Sequence, residues 1–171
     1  MEQERYDLTG SLLRWYDYNK RILPWRENKD PYRIWVSEIM LQQTRVEAVK
    51  PYFDRFMEAS PEVQDLAEAD DERLMKLWEG LGYYNRARNL KAAARKIVNE
   101  YDGKIPGDYD ALLSLNGIGT YTAGAIGSIA FDLQVPAVDG NVMRVLSRLW
   151  GDDSDILKEK TKREMGKRIQ A

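Results

Sequence analysis

The 171 residues contain no cysteine and no histidine. Without thiols there is no disulfide framework and no thiolate site for a metal or cluster within these residues. Without imidazole as well, an ordinary zinc enzyme is disfavoured, and no metal site is expected. There is no run of about 18 apolar residues, so no membrane-spanning helix and no membrane partner are expected. The opening Met1-Glu2-Gln3-Glu4-Arg5 lacks the basic-then-apolar layout of a signal peptide. A net charge of −2 gives no overall sign of a nucleic-acid binder, but the charge is uneven. Residues 62–79 carry seven acidic side chains against two basic ones, whereas residues 83–96 carry Arg86, Arg88, Lys91, Arg95 and Lys96 and no acid. Such a distribution suits DNA on one face, and equally a solvated helix surface. Alternating strand patterns are also nearly absent. What is present is 43% hydrophobic residues with five tryptophans and ten tyrosines, enough for a sizeable core in one or two lobes.

The periodicities are helical throughout. Leu8, Leu12, Trp15 and Tyr16 form one amphipathic face, and Ile22-Leu23-Pro24-Trp25-Arg26 interrupts it. Asp30-Pro31 predicts a helix opening with Asp as N-cap and Pro at the first position. Thr44-Arg45-Val46-Glu47 has the spacing of a capping box, and Pro51 inside the following Val46, Val49, Phe53, Phe56 pattern predicts a kink. Ser60-Pro61 and Asp70-Asp71 open two shorter helices, the second ending at Gly80-Leu81-Gly82. Ala87, Leu90, Ala94, Ile97 and Tyr101 give the clearest helix, which stops at Asp102-Gly103. After an extended stretch around Val135-Pro136, a helix from Asn141 is expected to turn Val142, Val145, Leu146 and Leu149 inward. The final charged segment has only a thin stripe of Thr161, Met165 and Ile169, with no later partner in the sequence. The fold class expected is all-α.

Residues 115–126 organise the reading. A short apolar helix (Ala111, Leu112, Leu115) runs into Asn116-Gly117-Ile118-Gly119, and Thr120 opens a helix of small residues. The two glycines allow close approach of another chain, and the turn leaves amide N–H groups free at a helix N-terminus, where the dipole favours an anion. This is the pattern of a helix-hairpin-helix gripping a DNA phosphate; an ordinary helix–helix turn with a glycine cap fits the same residues.

Two carboxylates carry the chemistry. Glu38 lies one turn from Ile34 and Trp35 behind and from Leu41 and Gln42 ahead, within a largely apolar stripe. Burial there raises a carboxyl pKa, as a general acid near neutrality requires; a position at the stripe's edge would instead let it reach water. Asp139 precedes Gly140-Asn141 and by default caps the helix that starts there, which still leaves one oxygen free for a cleft. One protonated and one ionised carboxylate suit cleavage of a glycosidic bond through a cationic transition state.

Leu23-Pro24-Trp25-Arg26, Ser37-Glu38-Ile39-Met40-Leu41-Gln42-Gln43-Thr44, Gly80-Leu81-Gly82-Tyr83-Tyr84 with Arg86-Ala87-Arg88, the hairpin, and Val138-Asp139-Gly140-Asn141-Val142 occur in that order. Together, from about Leu12 to Trp150, they resemble the MutY-type adenine DNA glycosylases of the helix-hairpin-helix superfamily. The resemblance implies a six-helix lobe over 26–134, with the hairpin at about 110–130, and a partial second lobe from 1–25 and 135–171. It implies removal of adenine mispaired with 8-oxoguanine or guanine, from double-stranded DNA, by a monomer. Glu38 matches the acid that protonates adenine N7, and Asp139 the carboxylate that stabilises the oxocarbenium-like sugar. Tyr121 stands where bifunctional relatives carry a Schiff-base lysine, which implies excision without strand cleavage. Asn141 matches a residue holding the catalytic water and Asp139. Trp25, Arg26, Leu41 and Val46 match the adenine pocket. Gln43 and Tyr83 match residues that enter the base stack, filling the gap left by a flipped base. Arg86, Arg88 and the hairpin residues Asn116, Gly117, Ile118, Gly119 and Thr120 are the remaining DNA-binding candidates.

The family continues with four cysteines that bind an iron–sulfur cluster and a domain that reads 8-oxoguanine; neither is present in this sequence. A truncated catalytic core is therefore expected, with residues 1–20 and 155–171 short of partners, reduced stability, weak activity and blunted mismatch preference. Three other readings stay open. They are a glycosylase for thymine in G·T mispairs or for oxidised pyrimidines, a non-catalytic helix-hairpin-helix DNA-binding module, and a helical protein-interaction domain. A bacterial cytoplasmic repair protein acting on nucleoid DNA is the location implied.

Overall fold

The computed structural model describes residues 8–170, and every regular element among them is helical. The first seven residues and Ala171, the ends of the expected second lobe, lie outside the described residues. Among the described residues no helix is long and apolar enough to cross a membrane. Helix starts follow the caps. The side chain of Asp30 accepts the Tyr32 and Arg33 amides and Pro31 takes the first position, which opens α2 (Pro31–Leu41) after α1 (Leu8–Asn19) and a 3-10 turn (Pro24–Arg26). Asp70 opens α5 (Asp71–Trp78), Asp108 opens α7 (Tyr109–Leu113) and Asp139 opens α9 (Gly140–Trp150) in the same way. Between them run α3 (Val46–Ala59), α4 (Val63–Glu68), α6 (Asn85–Glu100) and α8 (Thr120–Phe131), and α10 (Glu159–Gln170) is last.

Two expected caps are not formed. Arg45 is the N-cap of α3 and gives no side-chain cap, because the Thr44 hydroxyl is turned back to donate to the Gln42 carbonyl, 3.4 Å away. The box that does form belongs to α4, where Glu62 and Asp65 cap each other's ends and Ser60 stays outside. Pro51 falls inside α3, which continues through it without a break.

The core is built around α2. Its residues Tyr32 and Ile34 to Met40 are all buried, and it packs against α3, α6, α8 and the 3-10 turn. Trp25 meets Phe53 edge-on at 5.2 Å between ring centres, and Phe56 meets Trp78 at 6.2 Å. Ala87, Leu90, Ala94 and Ile97 of α6 and Ala123 and Ile126 of α8 complete the same core. The basic run of residues 86–96 is divided between this lobe and its surface, with Arg86 and Lys91 buried and Arg88 and Arg95 exposed. Lys91 is buried and paired with Asp71, Arg95 donates to the Ala67 carbonyl at 3.2 Å, and Lys96 donates to Ser114. Arg86 is enclosed as well.

A second, smaller cluster joins Val138, Met143 and Met165, with Val142, Leu146 and Trp150 against it. This corrects two expectations. In α9 the buried residue is Met143, while Val145 and Leu149 are each 52% exposed, because α10 covers only one edge of the helix. The stripe of α10 does find a partner: Thr161 and Met165 are buried, Arg168 stacks 4.0 Å over Trp150, and only Ile169 stays exposed. Helix α1, in contrast, buries none of its residues, and Leu12, Leu13 and Trp15 lie open.

The two clusters meet where residues 135–138 cross α8. A Cβ on Gly124 would lie 2.3 Å from the Pro136 carbonyl oxygen and 3.1 Å from Ala137 Cα, so only glycine lets the strand-like segment settle there. Because backbone, not a flexible side chain, occupies that space, Gly124→Ala is expected to destabilise the fold by ~1–3 kcal/mol. Gly140→Ala, where nothing lies within 4 Å, should change stability by less than ~0.5 kcal/mol. Denaturant titrations of the two variants beside the parent check this, and equal midpoints would remove the crossing as a constraint.

Candidate active site

Glu38 sits at the centre of α2 and is only 5% exposed. Its carboxylate receives the Arg26 guanidinium at 3.1 Å and the Tyr121 hydroxyl. Burial pushes its pKa above the ordinary carboxylate value, with Arg26 and Tyr121 opposing that shift in part. The edge-of-stripe alternative is therefore set aside by the structure. Tyr121 projects from the first turn of α8, and its own pKa is raised by burial first and then by the charges of Glu38 and Asp139.

Asp139 does two things at once. Its Oδ1 accepts the Val142 amide at 2.8 Å as the cap of α9, and its Oδ2 accepts the Asn141 side-chain amide at 3.1 Å. Asn141 is exposed and steadies Asp139 without lining the cavity itself.

The two carboxylates open into one cavity of about 520 Å³. Trp25, Arg26, Leu41, Gln43, Val46 and Tyr121 share its walls with Glu38 and Asp139. Trp25 is fully buried and forms part of the floor, whereas Leu41 and Val46 are half-buried at the side. The structure thus brings the four adenine-pocket candidates and three of the four catalytic candidates to one place. Sequence reasoning missed Arg21 and Gln42, which also reach the cavity. Arg21 stands in the break before Leu23-Pro24-Trp25-Arg26 and carried no signal; Gln42 was legible only as part of the Gln42-Gln43 pair.

Gln43 and Tyr83 lie on exposed loops with backbone φ of 58° and 48°, a left-handed conformation that costs a non-glycine residue about 1–2 kcal/mol. The side chain of Tyr83 is 66% exposed. The neighbouring candidates divide. Arg88 is exposed and donates to Asn85. Arg86 is 9% exposed with its guanidinium committed to protein carbonyls, so it is corrected from a DNA contact to an internal residue. In the hairpin, Gly117 takes φ of 77° to turn the chain, Asn116, Gly119 and Thr120 are exposed, and the Ile118 side chain plugs the core. No side chain caps the first turn of α8, which leaves its amides facing outward.

The chain also resembles known proteins in sequence and fold. Residues 36–171 match the family model described as HhH-GPD superfamily base excision DNA repair protein. The chain is 51% identical over 149 residues to adenine DNA glycosylase of Mus musculus, covering 82% of this chain and 29% of that protein. It is 50% identical to the Homo sapiens adenine DNA glycosylase, covering 82% and 27%. For the Buchnera aphidicola protein of the same name the identity is 42%, over 91% of this chain and 45% of that one. The chain therefore spans between 27% and 45% of the length of these three relatives. They come from mammals and a bacterium alike, so no bacterial origin is singled out. Among solved structures, a thermostable thymine-DNA glycosylase superposes with a TM-score of 0.85 at 29% identity, over 94% of this chain and 74% of that one. A non-covalent endonuclease III–DNA complex gives 0.74 at 27% identity, over 90% and 73%.

The raised pKa of Glu38 has a thermodynamic consequence. Between the ordinary carboxyl pKa and the raised folded value, the folded state holds a proton that the unfolded chain has released, so stability falls as pH rises through that window. Glu38→Gln removes this penalty, and Arg26, partly exposed, keeps water as a partner. The variant is expected to melt above the parent at about pH 8, with the gap closing toward about pH 4. Circular dichroism melts across that range decide it, and a gap of constant size would contradict the assignment.

Proposed function

Because the chain belongs to the HhH-GPD superfamily of base excision DNA repair proteins, we propose that it carries the catalytic part of an adenine DNA glycosylase. Its substrate is adenine opposite 8-oxoguanine or guanine in duplex DNA. The observation that carries this reading is the pairing, across one cavity, of a buried carboxyl of raised pKa with a capped, half-buried carboxylate.

The chemistry follows from those two environments. Glu38 gives its proton to N7 of a flipped adenine, and the C1′–N9 bond breaks as the bonding electrons move into the base. The sugar is left cationic, and Asp139, held by the Val142 amide and Asn141, faces that charge. Water then adds to C1′, and its released proton goes to a carboxylate of the site. Tyr121 hydrogen-bonds Glu38 and, being a phenol, supplies no amine for a Schiff base, so the DNA backbone stays intact. Gln43 and Tyr83 fill the space the flipped base leaves, and the hairpin amides with Arg88 hold the backbone. The iron–sulfur cluster of longer family members finds no ligands here: the sequence has no cysteine, and among the described residues no group of His, Cys, Asp or Glu could hold a metal. No step of the chemistry runs through it.

Single-turnover release of adenine from an 8-oxoguanine·adenine duplex is the direct test. Glu38→Gln is expected to lower the rate by about 10²–10⁴-fold, since it deletes the general acid. In the parent the rate should fall as pH rises through the raised pKa of Glu38, because only the protonated form is active. The product strand should remain uncut until alkali is added. Excision that survives Glu38→Gln would refute the acid assignment. Release of thymine from a G·T duplex, with adenine untouched, would favour the specificity named for the thymine-DNA glycosylase that this fold resembles.

A further inference from the structure

Gln43 and Tyr83 are far apart in sequence, yet one side chain ties the loops that hold them. The Arg86 Nη1 donates to the carbonyls of Ile39 and Met40, each at 3.0 Å, and of Gln42 at 2.6 Å. Its Nη2 donates to the carbonyls of Leu81 at 2.9 Å and Gly82 at 3.2 Å, and to the Thr44 hydroxyl at 3.4 Å. The acceptors therefore include the residues on both sides of Gln43 and the two residues before Tyr83. The guanidinium also lies 5.7 Å from the Tyr83 ring centre and 5.5 Å from that of Trp78, whose Nε1 donates to the same Gly82 carbonyl at 3.1 Å. The backbone amide of Arg86 donates to the Tyr83 carbonyl at 2.9 Å.

From this geometry we infer that Arg86 is a positioning residue that locks Gln43 and Tyr83 into one preformed, two-pronged wedge. This rests on the glycosylase reading above, in which those two side chains enter the base stack. Both prongs sit in a left-handed conformation that their own sequence disfavours, so something outside each loop must hold it. A planar fork with several fixed donors can serve two loops simultaneously; a lysine ammonium, a single point with three donors on a flexible stem, cannot span both sets of carbonyls. Insertion then requires no ordering of either loop at the moment of base flipping, and the two prongs arrive together.

The test uses a duplex with 2-aminopurine beside the target adenine, whose fluorescence rises when the stack opens. The parent at saturating concentration is expected to give that rise. Arg86→Lys is expected to cut it, and the single-turnover excision rate, at least tenfold, while affinity for lesion-free duplex changes less than twofold. In a Gln43→Ala/Tyr83→Ala background, itself dimmed, adding Arg86→Lys is expected to cost the excision rate no more than a further twofold, because both prongs are already gone. A parent-like signal from Arg86→Lys overturns the clamp, and so does an undiminished tenfold loss of excision in the doubly substituted background, which would mark general damage. Should Arg86→Lys fail to fold by circular dichroism, Trp78→Phe removes the indole donor to Gly82 together with part of a buried ring, and its fold is checked in the same way. It is expected to cost at least twofold in the same signal, and no change overturns the clamp. Absence of any rise with the parent would instead sink base flipping itself, and with it the wedge.

Discussion

A carboxylate enclosed in the most buried helix is the constraint on which the rest of this structure depends. Helix α2 has almost no solvent-facing side, so its contacts with α3, α6, α8 and the Trp25 turn are fixed by packing, and Glu38 has nowhere to go. An unpaired charge at such a place would be prohibitive. The protein relieves it from two directions: burial favours the neutral acid, and Arg26 and Tyr121 supply hydrogen bonds to the charged form. The group is thereby raised above the ordinary carboxylate value while keeping partners for its charged form, a combination that suits a proton donor. A carboxylate fully committed to Arg26 would stay ionised, and one with no polar neighbour would not release its proton.

Asp139 reaches the same cavity by a different route and from a weaker part of the fold. Only three residues form the fully buried part of the second cluster, so hydrophobic packing around Asp139 is thin. Its position is set instead by short-range devices: the close crossing of residues 135–138 over Gly124 and the cap to Val142. Each is stiff because it involves backbone. The capping bonds also keep Asp139 supplied with donors, a polar environment opposite in kind to that of Glu38.

Much of this was legible in the sequence because the signals were local. Asp30-Pro31, Asp70 and Asp139 name their helices through side-chain caps, and the spacing of Ala87, Leu90, Ala94 and Ile97 names the face of α6. The failures were of the opposite kind. Thr44 and Ser60 look like caps locally, but a tertiary demand on the Gln42–Thr44 loop and a better acid pair at Glu62 and Asp65 take precedence. In α9 periodicity alone could not tell which half of a broad apolar stripe meets α10, so Met143 was missed and Val145 overrated. Arg86 and its neighbours read as a basic patch because sequence shows charge but not direction.

Direction is the more general point about the basic run. Arg86 and Lys91 lie on turns of α6 that face the lobe, and there a long cation can donate to carbonyls or a carboxylate on neighbouring elements. The cost of removing such a group from water is offset where its donors are met, as at both Nη atoms of Arg86 though not at its Nε, and the gain is a joint between loops that apolar side chains could not make, since they offer no bonds to stray carbonyls. The acidic segment of residues 62–79 then serves partly as the complement to these cations, through Asp71. Part of the charge asymmetry of the sequence is thus structural, at Arg86 and at the Lys91–Asp71 pair. What it leaves exposed is a smaller set of groups, Arg88, Arg95 and the uncapped first turn of the hairpin's second helix among them, and the proposed contact with a polyanion rests on these.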